Sequence, residues 1–446
     1  MSLFSFYFYV LFIIVLGASA FLAKYFPTKR MLYDVMLLFS CIIFIAFVSW
    51  KCVLVVFIES FVCFFCGKQE SKRWHYFGIA VLVGILIFYK FADARNLNIL
   101  IPIGISFFTF NAISYLSDIF KKEIAGECFF RVLLYLSFFP RFTSGPLQTG
   151  KDFFEQLYKR PNITKKNMSE GIQIYCFGLF KKLVLADRLT IFINEVYATP
   201  NVFSGASIWL AIFSYSLLIY FDFSGYSDMS IGIGKMLGFD LPANFNMPYL
   251  SQNVTEFWHR WHISLSSWIR NYIYIPLGGN RKGCFHQKVN LLIAMTLCGL
   301  WHGVAFHFVL WGFFHGIALI VHKKIMQTRR GEKTMIKKIF CILSTFLFTS
   351  LMWVLFRAEN ISQAFLIYKR AFSFADGLNQ PYLWSFISIS ITIMLAIVIT
   401  FHNKGNAFYP FLNLTKFSHL TIFFIFIGLI LALCSTNGSP FIYGAF

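Results

Sequence analysis

Residues 299–303 read Gly-Leu-Trp-His-Gly and place His302 in the middle of the apolar run from Val289 to Val321. An ionisable side chain at membrane depth is costly and usually serves a function there. A buried histidine also occurs as a hydrogen-bonding contact between neighbouring membrane helices. Both interpretations fit the motif alone, and the rest of the chain distinguishes between them.

The composition of the chain indicates a membrane protein. Of 446 residues, 58% are hydrophobic and 13% are charged, about half the charged share of soluble proteins. Repeated apolar runs of spanning length predict an all-α polytopic membrane protein, because helices satisfy their own backbone hydrogen bonds in lipid. The net charge of +20 lies in short loops, which favours contact with a lipid bilayer and argues against nucleic-acid binding. The ten cysteines are mostly scattered through apolar runs, and no metal site is expected.

The apolar runs and the charges between them predict the topology. Lysines and arginines follow the first, third and fifth runs, so the positive-inside rule places the N-terminus outside the cytoplasm. Residues 1–22 are interpreted as a span rather than a cleaved signal, because no small-residue cleavage site follows them. The run at 129–146 contains prolines and glycines and is expected to be broken or re-entrant. The other predicted helices cover 3–22, 31–49, 52–66, 74–92, 99–118, 170–190, 205–236, 337–357, 384–401 and 418–435.

Basic residues on both sides of the central run predict a hairpin. Three stand between 281 and 288 and seven between 323 and 338, so both ends are expected on the cytoplasmic side. The first limb, 289–301, reaches only about 20 Å, roughly two-thirds of the hydrocarbon core. We therefore expect a turn inside the membrane, bent at Gly303, with His302 buried and functional.

Polar side chains interrupt another apolar run. Asp222, Ser224, Tyr226 and Asp228 lie within seven residues and share two neighbouring faces of a helix. We expect them to line a cavity. The alternative is that the two acids form ion pairs with the basic residues of 181–188.

A segment rich in tryptophan and histidine precedes the hairpin. Its apolar and aromatic residues recur at helical spacing, which predicts one amphipathic helix that carries His262. Ser251 or Asn253 is expected to cap this helix, with Glu256 in its first turn. His315, on the second limb of the hairpin, is expected either to partner His302 or to pack. The helical stripe consists of Trp258, Trp261, His262, Leu265 and Trp268.

Together these segments resemble the membrane-bound O-acyltransferase (MBOAT) family. Within it, the chain resembles the bacterial branch that includes membrane subunits of alginate and peptidoglycan O-acetylation and of teichoic-acid D-alanyl transfer. The resemblance runs in family order from about residue 100 to the end, while the first hundred residues match in hydropathy more than in motif. The matching motifs are 101–110, 139–146, 220–229, 244–249, 257–266, 299–303, 311–316 and 441–443.

The resemblance implies a fold and a site. The fold would be a single domain over 1–446, with about ten to twelve transmembrane and re-entrant helices around a central funnel. His302 and His262 would be the catalytic histidines, and Tyr443 would accept the acyl group. The residues expected to line the cavity are Trp301, Asp222, Ser224, Tyr226, Asp228 and His315.

The implied chemistry is acyl transfer from a thioester. A hydroxyl is a poor nucleophile until a base takes its proton, and a neutral imidazole suits that role. An acetyl ester of Tyr443 would stay activated, because phenolate leaves better than an alkoxide. The acetyl group would then cross the membrane without its donor. The expected donor is acetyl-CoA, with no permanently bound cofactor.

The favoured function is O-acetylation of a cell-envelope polysaccharide, with peptidoglycan as the acceptor, at the cytoplasmic (inner) membrane. A periplasmic or extracellular transferase partner would move the acetyl group to the glycan. Alginate or another exopolysaccharide as acceptor, and D-alanyl transfer to teichoic acid, stay open. A transporter would be expected to show internal repeats, and none is seen between the two halves. A purely structural membrane subunit is the third functional class, beside the acyltransferase and the transporter.

Overall fold

The computed structural model describes residues 3–26, 28–69, 71–95, 97, 101–159, 163–328, 334–373, 376–402 and 411–435. Tyr443 lies outside the described residues. Within them the chain is mainly helical, and its β structure is one isolated bridge between Phe203 and Leu378. Seven of these helices are long and apolar enough to cross a membrane. The predicted class, an all-α polytopic membrane protein, is confirmed.

The first helices follow the predicted apolar runs to within a few residues. Each of the first four is long and apolar enough to span a membrane. The fifth begins later than expected, after Gly104, whose φ of +81° favours glycine. A Cβ at that position would also lie 2.5 Å from the Phe142 carbonyl oxygen. The helices are α1 (Phe6–Tyr25), α2 (Arg30–Val48), α3 (Trp50–Lys68), α4 (Lys72–Ala94) and α5 (Ile105–Phe120).

The predicted break in the next run is present. Helix α6 (Phe129–Ser137) stops before Pro140, which stands in a short 3₁₀ helix, Phe139–Arg141. Arg141 is buried and donates from Nη2 to the Tyr135 carbonyl oxygen at 2.6 Å. Helix α7 (Gly150–Lys159) follows the break.

Glycines bring two long antiparallel segments into backbone contact. A Cβ on Gly178 would lie 2.5 Å from the Gly225 carbonyl oxygen, and one on Gly232 would lie 2.6 Å from that of Gly171. The two glycines of each segment are seven residues apart, so they lie on the same face of their helix, two turns from each other. Small residues permit such close packing in membranes. The segments are α8 (Lys165–Leu179), a π-helical stretch (Phe180–Ala186), α9 (Asp187–Ala198) and α10 (Gly205–Met236).

The second half of the chain contains the central hairpin and two interrupted regions. A short 3₁₀ helix, Pro248–Leu250, precedes α11 (Val254–Arg260), and a π-helical turn, Arg270–Tyr274, follows α12 (Ile263–Ile269). The helix α16 (Ile361–Phe372) was not predicted from the sequence. The remaining helices are α11 (Val254–Arg260), α12 (Ile263–Ile269), α13 (Gly283–His302), α14 (Phe306–Thr328), α15 (Met335–Arg357), α16 (Ile361–Phe372), α17 (Leu383–His402) and α18 (Phe417–Leu433).

Candidate active site

His302 is the last residue of α13, at the turn of the central hairpin, and is 3% exposed. Its ring meets Trp311 edge-on, with centroids 5.3 Å apart, and meets Phe356 in the same manner at 4.9 Å. The ring of Trp301 lies 4.5 Å away. The imidazole therefore lies in an aromatic enclosure formed by the hairpin and α15.

The first limb of the hairpin is longer than expected. Helix α13 begins at Gly283 rather than near Val289, so residues 283–288 extend the predicted limb. Its 20 residues extend about 30 Å, enough to cross the hydrocarbon core. The apolar part, from Val289 to His302, retains the predicted length of about 20 Å.

Close packing, rather than an unusual backbone angle, explains the glycines of the hairpin. Gly303 has an extended φ of −178°, so the expected bend does not depend on its conformational freedom. A Cβ there would lie 2.5 Å from the ring of Phe308. Likewise, a Cβ on Gly299 would lie 2.2 Å from the Phe308 carbonyl oxygen, and one on Gly312 would lie 2.2 Å from that of Met295. These contacts hold α13 against α14 directly below His302.

The predicted single helix around His262 is wrong. The helix breaks between α11 and α12, where His262 adopts φ +44° and ψ 54°. This left-handed conformation is rare for any residue with a side chain and often marks a functional position. Asn253 caps α11 as expected, since its Oδ1 accepts from the Glu256 backbone N–H at 2.8 Å.

The break at His262 is held by a chain segment that returns alongside it. The Asn246 N–H donates to the Arg260 carbonyl at 2.9 Å, and the Ile263 N–H donates to the Asn244 carbonyl at 3.0 Å. The Asn244 side chain also accepts from the Ser264 hydroxyl at 2.6 Å. Backbone groups released by the broken helix are thus satisfied by residues 244–246, which sequence periodicity could not reveal.

Trp301 lies against both predicted catalytic histidines. Its ring centroid is 4.5 Å from that of His302 and 6.5 Å from that of His262. His262 is 1% exposed, and its ring meets Phe223 of α10 edge-on at 4.6 Å. The structure therefore brings both histidines and Trp301 into one buried cluster.

His315 is one aromatic residue removed from His302. Trp311 contacts both rings, at 5.3 Å from His302 and 4.9 Å from His315. The indole N–H of Trp258 donates to His315 Nδ1 at 3.3 Å. His315 thus contacts the wall of the enclosure through Trp258 and Trp311, and its role, as a partner of His302 or as a packing residue, stays a prediction.

The acids of α10 form ion pairs. Asp222 Oδ1 lies 2.6 Å from Lys182 Nζ, and Asp228 Oδ2 lies 2.6 Å from Lys181 Nζ. Lys182 Nζ also lies 2.9 Å from Asp187 Oδ1. The side chains of Lys182, Asp187 and Asp222 are all almost completely buried. These are the ion pairs that the sequence analysis kept as the alternative. Lining of a cavity by the acids stays a prediction.

The hydroxyl-bearing residues of the same stretch are also buried. Tyr226 hydrogen-bonds through its hydroxyl to Thr143, which follows the break after α6. Ser224 is 1% exposed. The polar stretch of α10 therefore contacts the broken segment on one side and α8 on the other.

Glu59, a fully buried acid in the middle of α3, was not among the residues predicted from the sequence. Its Oε1 accepts from the Thr109 hydroxyl at 2.7 Å. The signal was present, because a carboxyl group inside an apolar span is costly unless it serves a role. Within the described parts of the chain, no group of three or more His, Cys, Asp or Glu side chains is placed to hold a metal ion.

A cavity of about 490 Å³ lies beside α12. It touches Ile263, the residue after His262, and Met295, seven residues before His302. Arg270 and Lys323 stand at its polar part, and its other walls are largely apolar. Its volume is within the range of small-molecule sites.

The comparisons with known proteins identify the family of this chain. The model of MBOAT, the membrane-bound O-acyltransferase family, matches residues 127–361, more than half of the chain and the part that holds both histidines. The chain belongs to this family of multi-pass membrane proteins, and the resemblance seen in the motifs is confirmed. The single domain over 1–446 stays a prediction.

The relatives of this chain are named for three different activities. A probable alginate O-acetylase AlgI of Pseudomonas putida is 39% identical over 327 residues, which are 69% of this chain and 66% of that protein. A peptidoglycan O-acetyltransferase of Helicobacter pylori is 35% identical over 339 residues, 67% of this chain and 64% of that protein. A teichoic acid D-alanyltransferase of Streptococcus thermophilus is 28% identical over 283 residues, 59% of this chain and 67% of that protein. The chain thus spans just under two thirds of the length of the first two relatives.

Proposed function

We propose that the protein transfers an acetyl group from a thioester donor to a hydroxyl acceptor, with His302 as the general base. The observation that carries this proposal is the placement of His302 at a helix end, buried in an aromatic enclosure next to His262. A neutral imidazole in such a site takes a hydroxyl proton without leaving a charge exposed to lipid. His262 polarises the thioester carbonyl or orients the donor.

The donor is acetyl-CoA, which approaches through the cavity beside α12. Arg270 and Lys323 supply positive charge where phosphate groups of the donor would arrive, and the apolar walls suit its pantetheine arm. From Met295 the helix rises about 10 Å to His302. The lining of the cavity thus includes basic residues as well as Ile263 and Met295, which precede or follow the histidines along the chain, and this supports donor entry from the cytoplasm.

The acetyl group continues to Tyr443, which relays it to the opposite side of the membrane. The support comes from the start of the C-terminal tail, where the Ser435 N–H donates to the Leu183 carbonyl at 3.1 Å. Leu183 adjoins Lys182, which pairs with Asp222, and Phe223 next to that acid contacts His262. Tyr443 is eight positions after Ser435, and an extended chain of that length reaches about 26 Å.

The final acceptor is a cell-envelope polysaccharide outside the cytoplasmic membrane, reached through a separate periplasmic or extracellular transferase. The relatives named for alginate and peptidoglycan O-acetylation, at 39% and 35% identity, favour acetyl transfer over D-alanyl transfer, whose relative is 28% identical. Peptidoglycan and alginate-like glycans are the two acceptor classes to test first.

Release of the free thiol from acetyl-CoA by the purified full-length protein tests the proposal. We expect His302→Ala to slow this release by about a hundredfold or more, as for loss of a general base. His307→Ala is the matched control, because His307 is also buried on the hairpin but bonds to the Leu355 carbonyl. Wild-type thiol release by His302→Ala would refute the proposed base.

A further inference from the structure

A second cavity, of about 650 Å³, opens at the basic ends of α3, α4 and α5. Among the described residues, it shares no lining residue with the cavity beside α12. Its apolar wall includes Leu116 and Ile119, and its polar wall includes Lys72, His75 and Lys122. The proposed acyl transfer uses none of these residues.

Two lysines supply the charge of this cavity. Their basic neighbours lie against aromatic rings, Lys68 at 4.5 Å from Phe64 and Lys121 at 4.7 Å from Tyr272. In the described part of the chain, no ion pair involves Lys72 or Lys122. The cavity is therefore a positively charged recess with an apolar wall.

The backbone at Lys122 has an unusual conformation. Its φ of +60° is in the left-handed region, which few residues with a side chain adopt, and its N–H donates to the Ile119 carbonyl at 2.8 Å. After this turn the chain reaches Gly126, where a Cβ would lie 3.6 Å from the Gly67 carbonyl oxygen at the end of α3. The turn closes the cavity between α3 and α5, with Lys122 in its lining.

Aromatic side chains indicate the depth of this cavity in a membrane. Trp74, in the first turn of α4, is exposed and packs edge-on against Phe65 at 5.2 Å and Phe77 at 5.6 Å. Tryptophan at the ends of spanning helices is typical of the headgroup region. A ligand in the cavity would thus lie at headgroup level, beside helix faces that contact acyl chains.

We infer that this cavity binds the headgroup of an anionic phospholipid, with Lys72 and Lys122 on the phosphate and the acyl chains along α3 and α4. Basic recesses between helices on the lysine-rich side of a membrane protein bind such headgroups. The stacked ring of His75, 4.3 Å from Phe120, adds a polar group to the recess. Phosphatidylglycerol is the probe with this chemistry.

Native mass spectrometry of the full-length protein, released from phosphatidylcholine nanodiscs with or without phosphatidylglycerol, tests the inference. Wild-type protein is expected to retain phosphatidylglycerol and to lose phosphatidylcholine. The variant Lys72→Gln/Lys122→Gln should retain phosphatidylglycerol at least about tenfold more weakly, since each lysine contributes to the attraction. Excess inorganic phosphate should not displace the lipid, because it lacks acyl chains.

The control Lys151→Gln/Lys159→Gln removes two exposed lysines of α7 and should bind lipid as the wild type does. Ala125→Trp fills the cavity with all charges kept and should also lose the lipid, which covers the case in which the double variant fails to fold. Wild-type retention by Ala125→Trp, or by a folded Lys72→Gln/Lys122→Gln, would overturn the inference. Displacement of the lipid by inorganic phosphate would also overturn it.

Discussion

Lys182 Nζ lies 2.6 Å from Asp222 Oδ1, with both side chains almost completely buried between the π-helical stretch that follows α8 and helix α10. The close approach of the two segments at Gly178 and Gly225 brings the lysine to this depth. Asp187 adds a second carboxylate at 2.9 Å, so one buried cation lies between two acids. Removal of one partner from such a group leaves a charge that neither water nor lipid compensates.

We expect Lys182→Met to lower the free energy of unfolding by about 3–5 kcal/mol, the usual cost of breaking a buried ion pair. Lys181→Met is the matched control, because Lys181 is 22% exposed and, among the residues that the structure describes, pairs with one acid, Asp228. Thermal unfolding of the purified proteins in detergent measures both changes. Equal losses in the two variants would show that burial of Lys182 is not the decisive factor.

Two substitutions of His262 distinguish the role of its backbone conformation from the role of its imidazole. His262→Gly keeps a residue that readily adopts φ +44°, so the fold should be retained. Thiol release from acetyl-CoA should fall by about a hundredfold if the imidazole acts on the donor or on His302. His262→Val should instead lose stability by about 1–3 kcal/mol, because a branched side chain is strained in this conformation. Full activity of His262→Gly would make the residue a structural one.

Asn244 positions His262 without touching the proposed donor path. Its side chain accepts from the Ser264 hydroxyl and donates to Ser227 of α10 at 3.2 Å. Asn244→Ala should lower kcat by about tenfold to a hundredfold and leave KM within about twofold, as expected for a misplaced catalytic group. Asn246→Ala is the control, since Asn246 holds the same break through its backbone alone. A rise in KM with normal kcat would place Asn244 in donor binding instead.

Long apolar helices and the hairpin were predictable because each depends on local composition. Hydropathy predicts α1 to α4 within a few residues, and the basic residues around Val289 and Val321 predict that the chain returns after His302. Burial of His302 followed from the cost of charge in lipid. These features need no knowledge of distant partners.

The remaining features depend on contacts between distant segments. The break at His262 depends on Asn244, eighteen positions earlier, whose carbonyl takes a hydrogen bond that a continuous helix would satisfy itself. Glu59 is accommodated by Thr109, which is 50 residues away in sequence. The pairing of Asp222 with Lys182 was one of the two interpretations, and it forms because α8 and the π-helical stretch after it pack closely on α10.

The hairpin should be intolerant of a single methyl group at Gly299. A Cβ there would lie 2.2 Å from the Phe308 carbonyl oxygen, so Gly299→Ala should cost about 1–3 kcal/mol by overpacking. Gly84→Ala on α4 meets no atom within 4 Å and should be neutral or slightly stabilising, because alanine favours helix. Melting temperatures in one detergent compare the two variants. Similar changes in both would indicate that α13 and α14 separate easily.

Tyr443, eight residues beyond the anchored Ser435, decides whether the protein itself carries the acetyl group. Incubation with acetyl-CoA and no glycan acceptor should add one acetyl group to wild-type protein, seen by intact mass and mapped by digestion to Tyr443. Tyr443→Phe should lose this adduct, and His302→Ala should lose it with the tyrosine still present. Tyr7→Phe, at an exposed position on α1, should keep it. An adduct that persists in Tyr443→Phe would exclude the tyrosine relay while leaving thioester chemistry at His302 intact, because the base acts on whichever hydroxyl reaches it.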